Sequence, residues 1–575
     1  MRDGATGGKL FQIGFNKCGT TFIAKLFDMN GIPAAHWLEG ALAEDIAYSR
    51  LTGRRPLARW ADSVQVFTDM ESVRFLNMPV VEAFKEYALL DRHYPGSVFL
   101  LNTRDRDDWI ASRYLHRGGA YARSFAASSG VGLGGLADIW AQDWDRHLAG
   151  VRAHFAGRPE LVEIDIDHAA PGDYRDALAP WFDLPICLEL PGKGVRRARA
   201  DRRPLVARMA ATRPLGRDID DDTRRKLAER LAANARPARS HAGRGAPLPA
   251  AVCLDLDAGR VRTPEGGDLP LRRGPDGRFL CDAERPGLLR VMNAVNDIAG
   301  VADGGRYWLD MRPACTAGGP GGPEAGGPVL VGLRRKGAAN LFLWPAPWLH
   351  RIGNDGFPGW PRPEGPDFDD RDDLALWRGG LSGYAPDTCW TELPPSAESL
   401  TDRVLQGDAQ AELALTRTAR WQAVAAHQGM AGIDMAFAPE PRIARVIARM
   451  GDALPCAAPP AGHPRYRICL GGTAGDADLM PLIGGQELVL QEETGWEGCM
   501  TAIFRPWRHY VPLAPAATDL TDRLEWARRN PGECRSIIAR AARLCHRLAD
   551  PQGRRLHLAG VLADYRAASV GADFG

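Results

Sequence analysis

The sequence predicts two α/β domains in tandem, and three observations carry that prediction. Its 575 residues are more than one hydrophobic core accommodates. Short apolar runs alternate with helix-period segments in both halves, the punctuation of strand–helix–strand units. Between them the stretch RPARSHAGRGAPLP, Arg236 to Pro249, is polar and rich in Pro and Gly, the composition of a linker. Domains are therefore expected at 1–235 and 251–575, with the linker at 236–250.

Taken in order, KLFQIGF reads as a strand, NKCG as a loop, and TTFIAKLFDM as a helix with Phe22, Ile23, Leu26 and Phe27 on one face, stopped by Asn30-Gly31. SVFLLNTRD is a second apolar strand and DWIASRYLHR the helix after it. Asp220 to Asn234 has acidic residues opening a run of helix formers, so a helix is expected there too. The second half restarts with strands at RYWLDMR, PVLVGLRR, LALWRG, RYRICLGG and ELVLQEE. Thr316 to Pro328 (TAGGPGGPEAGGP) favours neither helix nor strand and is expected as a loop.

Charge and cysteine usage narrow the function. Lys and Arg number 72 and Asp and Glu 71, so no global field draws this chain to nucleic acid or an anionic membrane. Eleven cysteines without a CxxC pair fit a reducing compartment, with the cytoplasm expected, and neither structural zinc nor a disulfide scaffold. No 18 apolar residues run together and the N-terminus lacks a signal-peptide pattern, so neither membrane spanning nor secretion is expected. The acidic run DFDDRDD, Asp367 to Asp373, reads as a solvated loop rather than a metal site.

The strand–glycine loop–helix at residues 9–31 is a phosphate cradle: a helix N-terminus offers free N–H groups, and Gly14 and Gly19 let the backbone approach an anion. Those glycines have the Walker spacing, but Lys17 precedes Gly19 by two residues and Thr20 stands where a nucleoside triphosphatase carries Lys. The segment Phe15-Asn16-Lys17-Cys18-Gly19-Thr20-Thr21 resembles the 5′-phosphosulfate loop of sulfotransferases that use 3′-phosphoadenosine 5′-phosphosulfate (PAPS), with the pattern K-x-G-T-T. Arg104 at a strand end and Ser112 eight residues on match that family's 3′-phosphate element, and the resemblance covers about residues 8–200. It implies a parallel-sheet P-loop fold and PAPS held by Gly14, Asn16, Lys17, Cys18, Gly19, Thr20, Thr21, Arg104 and Ser112. Sulfuryl transfer builds charge on the bridging oxygen of the leaving phosphate, the place of the Lys17 ammonium. The acceptor hydroxyl needs a general base, for which His36, Asp69 and Glu71 are candidates and Asp69 is preferred. Cys18 at a helix N-terminus and Lys193 in LPGKGVRR are weaker candidates, for a redox thiol and a phosphate-closing loop.

In the second half ALWRGGLSGY, TRTARWQAV, RYRICLGG, GWEGCMTAIFRPWRHYVPL and ATDLTDRLEW occur in an order that resembles glycosyltransferase family 90, the lipopolysaccharide-modifying and protein O-glucosyltransferase class, over about residues 255–570. The resemblance implies a glycosyltransferase B architecture of two Rossmann lobes and a nucleotide-sugar donor, UDP-linked, with no metal. Arg378 beside Gly379 suits a diphosphate, and the loop with Gly472, Thr473 and Gly475 is expected as a second cradle. Two departures stand out. Asp476 replaces a cation in that loop, and WLDMRPAC puts Pro313 after Arg312 and leaves Asp310 as the nearest carboxylate to the family's acceptor base. Among the tryptophans, Trp496 and Trp507 are the preferred sugar contacts, with Trp344, Trp348, Trp360 and Trp377 and the tyrosine Tyr510 expected mainly in packing.

The expectation is a bifunctional transferase moving a sulfuryl group and a sugar to hydroxyls of one glycan or glycolipid. Two alternatives stay open: a sulfotransferase whose C-terminal half only binds the acceptor, and a non-catalytic nucleotide-binding scaffold.

Overall fold

The computed structural model describes residues 8–74, 76–187, 204, 206, 207, 211, 219–243, 245–312, 324–345, 365–385, 396–451, 454–472 and 479–571. The chain divides into two compact units, Met1–Pro214 with Leu271–Asn296, and Leu215–Pro270 with Asp297–Gly575. The helix Asp221–Ala235 does not close the first domain: Ala228, Leu231, Ala232 and Ala235 form a buried stripe, and the helix packs along Pro551–Ala568 in the second unit. Arg224 pairs there with Asp550. Part of the expected linker is also tied down, since Asn340 Oδ1 accepts from His241 N (2.8 Å) and Ser240 Oγ (3.3 Å). Conversely, Leu271–Asn296 returns to the first unit, where Asn293 Oδ1 accepts from Asn77 N (2.6 Å) and Asn296 Nδ2 donates to Asn77 O (2.9 Å).

The first unit is built on five parallel strands in the order Ala34–His36, Val66–Thr68, Leu10–Gln12, Val98–Thr103, Leu161–Asp165. Alternation along the strands sorts two cores. Leu10, Val66, Val98 and Leu100 meet Phe22, Ile23, Leu26 and Phe27 of the helix Thr20–Met29, whereas on the other face Phe11 stacks on Phe67 at 5.5 Å and meets Phe99 at a tilt at 5.6 Å. From the central strand Leu10–Gln12 the chain winds first one way and then the other. A crevice therefore opens at the carboxyl ends of Leu10–Gln12 and Val98–Thr103, where open α/β sheets bind ligands.

The second unit holds five parallel strands in the order Ile433–Phe437, Asp372–Gly379, Pro464–Cys469, Leu488–Glu492, Val511–Leu513, with the same kind of switch point between Asp372–Gly379 and Pro464–Cys469. Its other sheet is mixed rather than a second parallel Rossmann sheet. Arg306–Asp310, Val329–Val331 and Leu341–Leu343 run parallel, but Val252–Asp255, Arg260–Arg262 and Asp268–Pro270 are antiparallel neighbours. The reason is local: Asp255 Oδ1 accepts from Ala258 N (2.9 Å) and Gly259 takes φ 62°, a reversal too short for a helical crossover. The acidic run is not a loop throughout, since Asp372 and Asp373 open a strand and Asp369 and Asp373 pair with Arg535 and Arg528. Residues 316–323 of the glycine-rich stretch lie outside the described residues. Among the described residues no helix is long and apolar enough to cross a membrane.

Candidate functional site

The glycine loop of the first unit is locked by side chains from neighbouring strands. A Cβ on Gly14 would lie 2.3 Å from both Asn102 O and Asn102 Oδ1, so only glycine fits. Gln12 Nε2 donates to Gly14 O (2.5 Å) and Asn102 Oδ1 (2.7 Å), Asn102 Nδ2 donates to Cys18 O, and Gln12 Oε1 accepts from Asp69 N (3.0 Å). Lys17 and Gly19 turn the loop with φ of 64° and 87°. The helix then opens without an acidic residue in its first turn or a capping side chain, so the N–H groups of Thr20 and Thr21 and the positive dipole end face the crevice loop unopposed. Arg104 reaches this loop from across the crevice: NH1 donates to Lys17 O (3.1 Å), while Nε is buried with no partner among the described residues.

Lys17 Nζ lies 3.4 Å from His116 Nδ1. Burial, then the charges of Lys17, Arg117 and Arg113, lower the His116 pKa to about 4, so the imidazole is neutral and accepts from the ammonium. Of the candidate bases, the structure brings His36 and Asp69 together, with His36 Nε2 3.9 Å from Asp69 Oδ2 and 3.2 Å from Thr21 Oγ1, and His36 Nδ1 2.9 Å from Thr68 Oγ1. Asp69 takes φ 55°, and its buried Oδ1 has no hydrogen-bond partner among the described residues. Burial raises its pKa against the opposing charges of His36, Lys17 and Arg113. Glu71 is instead held by Arg113 NH2 (3.0 Å) and Tyr121 OH, and burial raises it to about 8. Ser112 lies half-buried in the helix Arg106–Leu115 and makes no side-chain hydrogen bond among the described residues.

Sequence reading missed Arg113. Fully buried, it donates from Nε to Asn16 Oδ1 (2.9 Å) and from NH2 to Glu82 (2.8 Å), while Trp109 Nε1 donates to Asn16 O (3.1 Å). Asn16 is thereby held from behind the loop. Nothing in a helix reading of DWIASRY marks an Arg for the core. Cys18 is a packed thiol: burial pushes it up to about 12, with Arg104 and Arg113 only partly offsetting, so the helix terminus does not make it a thiolate. Lys193 lies outside the described residues.

In the second unit Arg420 bridges the switch point, with NH1 donating to Gly380 O (3.1 Å) and NH2 to Leu470 O (2.9 Å). Beside it opens a cleft lined by Gly471, Gly472, Gln491, Glu492, Thr494 and Trp496 among others. Glu492 fixes the loop by accepting from Gly471 N (2.8 Å) and Ala516 N (2.7 Å), and a Cβ on Gly471 would lie 2.2 Å from Thr494 Cγ2. The Arg335 guanidinium sits 4.6 Å over the Trp496 ring, and Tyr384 stacks on that ring at 6.4 Å.

Arg378 is not poised for a diphosphate as expected. Its NH2 donates to both Asp434 oxygens (2.8 Å each) and NH1 and Nε to the carbonyls of Asp434, Trp377 and Ala457, so the guanidinium is spent inside the sheet. Gly379 is there for packing, since a Cβ would lie 2.6 Å from the Trp377 ring. Asp310 is buried and paired with Arg312 (2.6 Å). Trp344, Trp377 and Tyr510 are buried. Pro313, Trp348, Trp360, Thr473, Gly475 and Asp476 lie outside the described residues.

The family comparison falls within the second unit. Residues 460–548 match the model of glycosyl transferase family 90. That segment supplies most of the cleft lining, from Cys469 to Thr501, and lacks Arg378 and Arg420. Protein O-glucosyltransferase 3 of Rattus norvegicus is 27% identical over 106 residues, 18% of this chain and 21% of that protein. Its Homo sapiens counterpart is 26% identical over 101 residues, 18% of this chain and 20% of that protein. Uncharacterized protein 035R of Invertebrate iridescent virus 3 is 41% identical over 54 residues, 9% of this chain and 5% of that protein. The chain thus spans about a fifth or less of the length of these relatives.

Proposed function

We propose that the second unit transfers a sugar from a nucleotide-sugar donor, UDP-linked, and that the first transfers a sulfuryl group from PAPS, both to hydroxyls of a glycan or glycolipid. The glycosyl reading is carried by one observation: the segment matching family 90 is the segment that lines the cleft at the switch point of a parallel sheet. In that cleft Gly471 and Gly472 would admit a donor phosphate close to the backbone, and Trp496, braced by Arg335 and Tyr384, contributes an aromatic side chain to the lining. The name of the mammalian relatives adds a protein hydroxyl as a second acceptor class.

The sulfuryl reading is supported by the glycine loop, Lys17 and Arg104 meeting at the other switch point. The 5′-phosphate would lie on the N–H groups opening Thr20–Met29, and the 3′-phosphate would complete Arg104. The acceptor oxygen attacks sulfur as its proton passes to Asp69. The bond from sulfur to the bridging oxygen breaks, and Lys17 meets the charge left on that oxygen. His36, whose pKa burial lowers against the opposing charge of Asp69, lies beside that carboxylate and within hydrogen-bond reach of the Thr21 hydroxyl.

Adenosine 3′,5′-bisphosphate should raise the melting temperature well beyond 5′-AMP, because only the former carries a phosphate for Arg104. Equal shifts, or a full shift in Arg104→Ala, would remove the sulfuryl reading. The pairing of Arg378 with Asp434 favours a second reading, in which the C-terminal unit binds acceptor without turning over a donor. Consumption of a nucleotide sugar decides between the two.

A further inference from the structure

The strand Val511–Leu513 is entered through a tight turn, residues 505–509, closed by Arg508 N and His509 N donating to Arg505 O (3.2 and 3.0 Å) and Arg505 N donating to His509 Nδ1 (2.9 Å). The turn holds Trp507 at φ 60°, a backbone that L residues avoid, with the indole 40% exposed. Trp526 meets its ring edge-on at 4.8 Å and the Arg523 guanidinium lies 5.1 Å from it. Arg505 and Arg508 are exposed and form no ion pair among the described residues, and neither does Arg230, on the helix Asp221–Ala235. That helix is joined to the chain just before the turn, where Asn234 Nδ2 donates to Ala502 O (3.4 Å). After burial, the charges of Arg508, Arg540, Arg505 and Arg230 lower His509 to about 4. These guanidinium charges therefore lie within electrostatic reach of one ring. Two neighbours already have acidic partners, Arg540 in Glu533 (2.6 Å) and Arg523 in Asp519 (2.8 Å), which leaves three guanidinia without an acidic partner among the described residues, beside an exposed indole.

Cations held together without counter-charge disfavour one another until an anion arrives, and a guanidinium offers an oxyanion a planar fork of donors. An exposed indole suits the apolar C–H face of a pyranose ring. We propose that the turn 505–509, with Arg230 and Trp526, is a binding surface for a sulfated sugar chain, separate from the cleft beside Trp496. The anion and sugar preference follows from the surface itself, and the choice of sulfate rests on the sulfuryl-transfer reading of the first unit. Such a surface would keep the sulfated product on the enzyme and raise its effective concentration.

Titration calorimetry on the full chain tests this with three probes: a chondroitin 4-sulfate hexasaccharide, its chemically desulfated counterpart, and a single-stranded RNA dodecamer. The sulfated sugar should bind about tenfold or more tightly than the desulfated one, as expected for losing at least one charge-assisted contact. Arg505→Ser with Arg508→Ser should lose at least about tenfold in affinity, and Trp507→Ala a comparable amount, with the melting temperature unchanged. If the double variant failed to fold, Arg508→Gln alone would carry the same expectation. Undiminished affinity in these variants, equal binding of the desulfated sugar, or RNA bound as tightly would each overturn the proposal. Sulfuryl transfer measured on the same preparations separates the two claims: sulfate-selective binding without transfer upholds the surface and removes the reading of the first unit, and transfer without binding does the reverse.

Discussion

Gly14 and Asn102 illustrate how far single residues could be read. Gly14 was marked by its spacing, but the constraint on it is Asn102, whose backbone and side-chain oxygens would both meet a Cβ. Gly14→Ala should cost about 1 to 3 kcal/mol, as overpacking against immobile atoms does, measured as a lower urea midpoint with an unchanged slope. Lys17→Ala should abolish sulfuryl transfer and leave that midpoint in place, since Lys17 takes no part in the core. His116→Ala should lower kcat while adenosine 3′,5′-bisphosphate still binds, because the imidazole positions the lysine without touching the 3′-phosphate. Retention of wild-type kcat would make His116 a packing residue. Residue type and place beside strand ends marked Lys17, Gly19, Arg104, His36 and Asp69 in the sequence, and the structure sets Arg104 against the Lys17 carbonyl and His36 3.9 Å from Asp69. Gln12, Asn102, Arg113 and His116 were not so marked, since a polar residue inside a strand or helix pattern gives no sign that it turns inward.

At the level of elements, the strands and the helix after the glycine loop followed from their apolar periodicity, and the switch points followed from strand order, which no local pattern encodes. LALWRG was legible as a strand, yet Arg378 was misplaced: parallel pairing with Ile433–Phe437 sets Arg378 next to Ala436, two residues past Asp434, and their side chains close on each other. Arg378→Ala should therefore destabilise the second unit by about 2 kcal/mol, by leaving Asp434 and several carbonyls without their donor, and not simply weaken donor binding. A variant as stable as wild type that had lost nucleotide-sugar binding would restore the original expectation. Arg420 is the element-scale counterpart, tying the loops after two strands together through their carbonyls. Arg420→Ala should raise KM for a nucleotide sugar more than it lowers stability measured in the donor's presence, whereas Arg420→Lys, which keeps charge but not the fork, should recover little.

Over the whole molecule, two α/β units were foreseen from length and alternation. The excursion of Leu271–Asn296 into the first unit and of Asp221–Ala235 into the second was not, because long-range packing leaves no trace in composition. Each unit also buries a histidine, His147 in the first and His557 in the second, and burial depresses both to about 4. Their unfolded value is near 6.5, so between those limits the unfolded chain binds protons that the native chain does not. Stability should be intact above pH 6.5 and fall as the pH drops toward 4, by up to about 3 kcal/mol for fully buried His557. Urea midpoints at pH 7 and pH 5 check this, and His557→Gln should flatten the dependence.

The claim that the cleft beside Trp496 turns over a sugar donor is tested most directly by incubating the full chain with UDP-glucose and other nucleotide sugars and following release of the nucleoside diphosphate. The account predicts that at least one donor is consumed, that Trp496→Ala reduces its consumption by tenfold or more, on the order of 1.4 kcal/mol in transition-state binding, and that Lys17→Ala leaves it unchanged. Consumption of no nucleotide sugar by a folded chain that still binds adenosine 3′,5′-bisphosphate would contradict it.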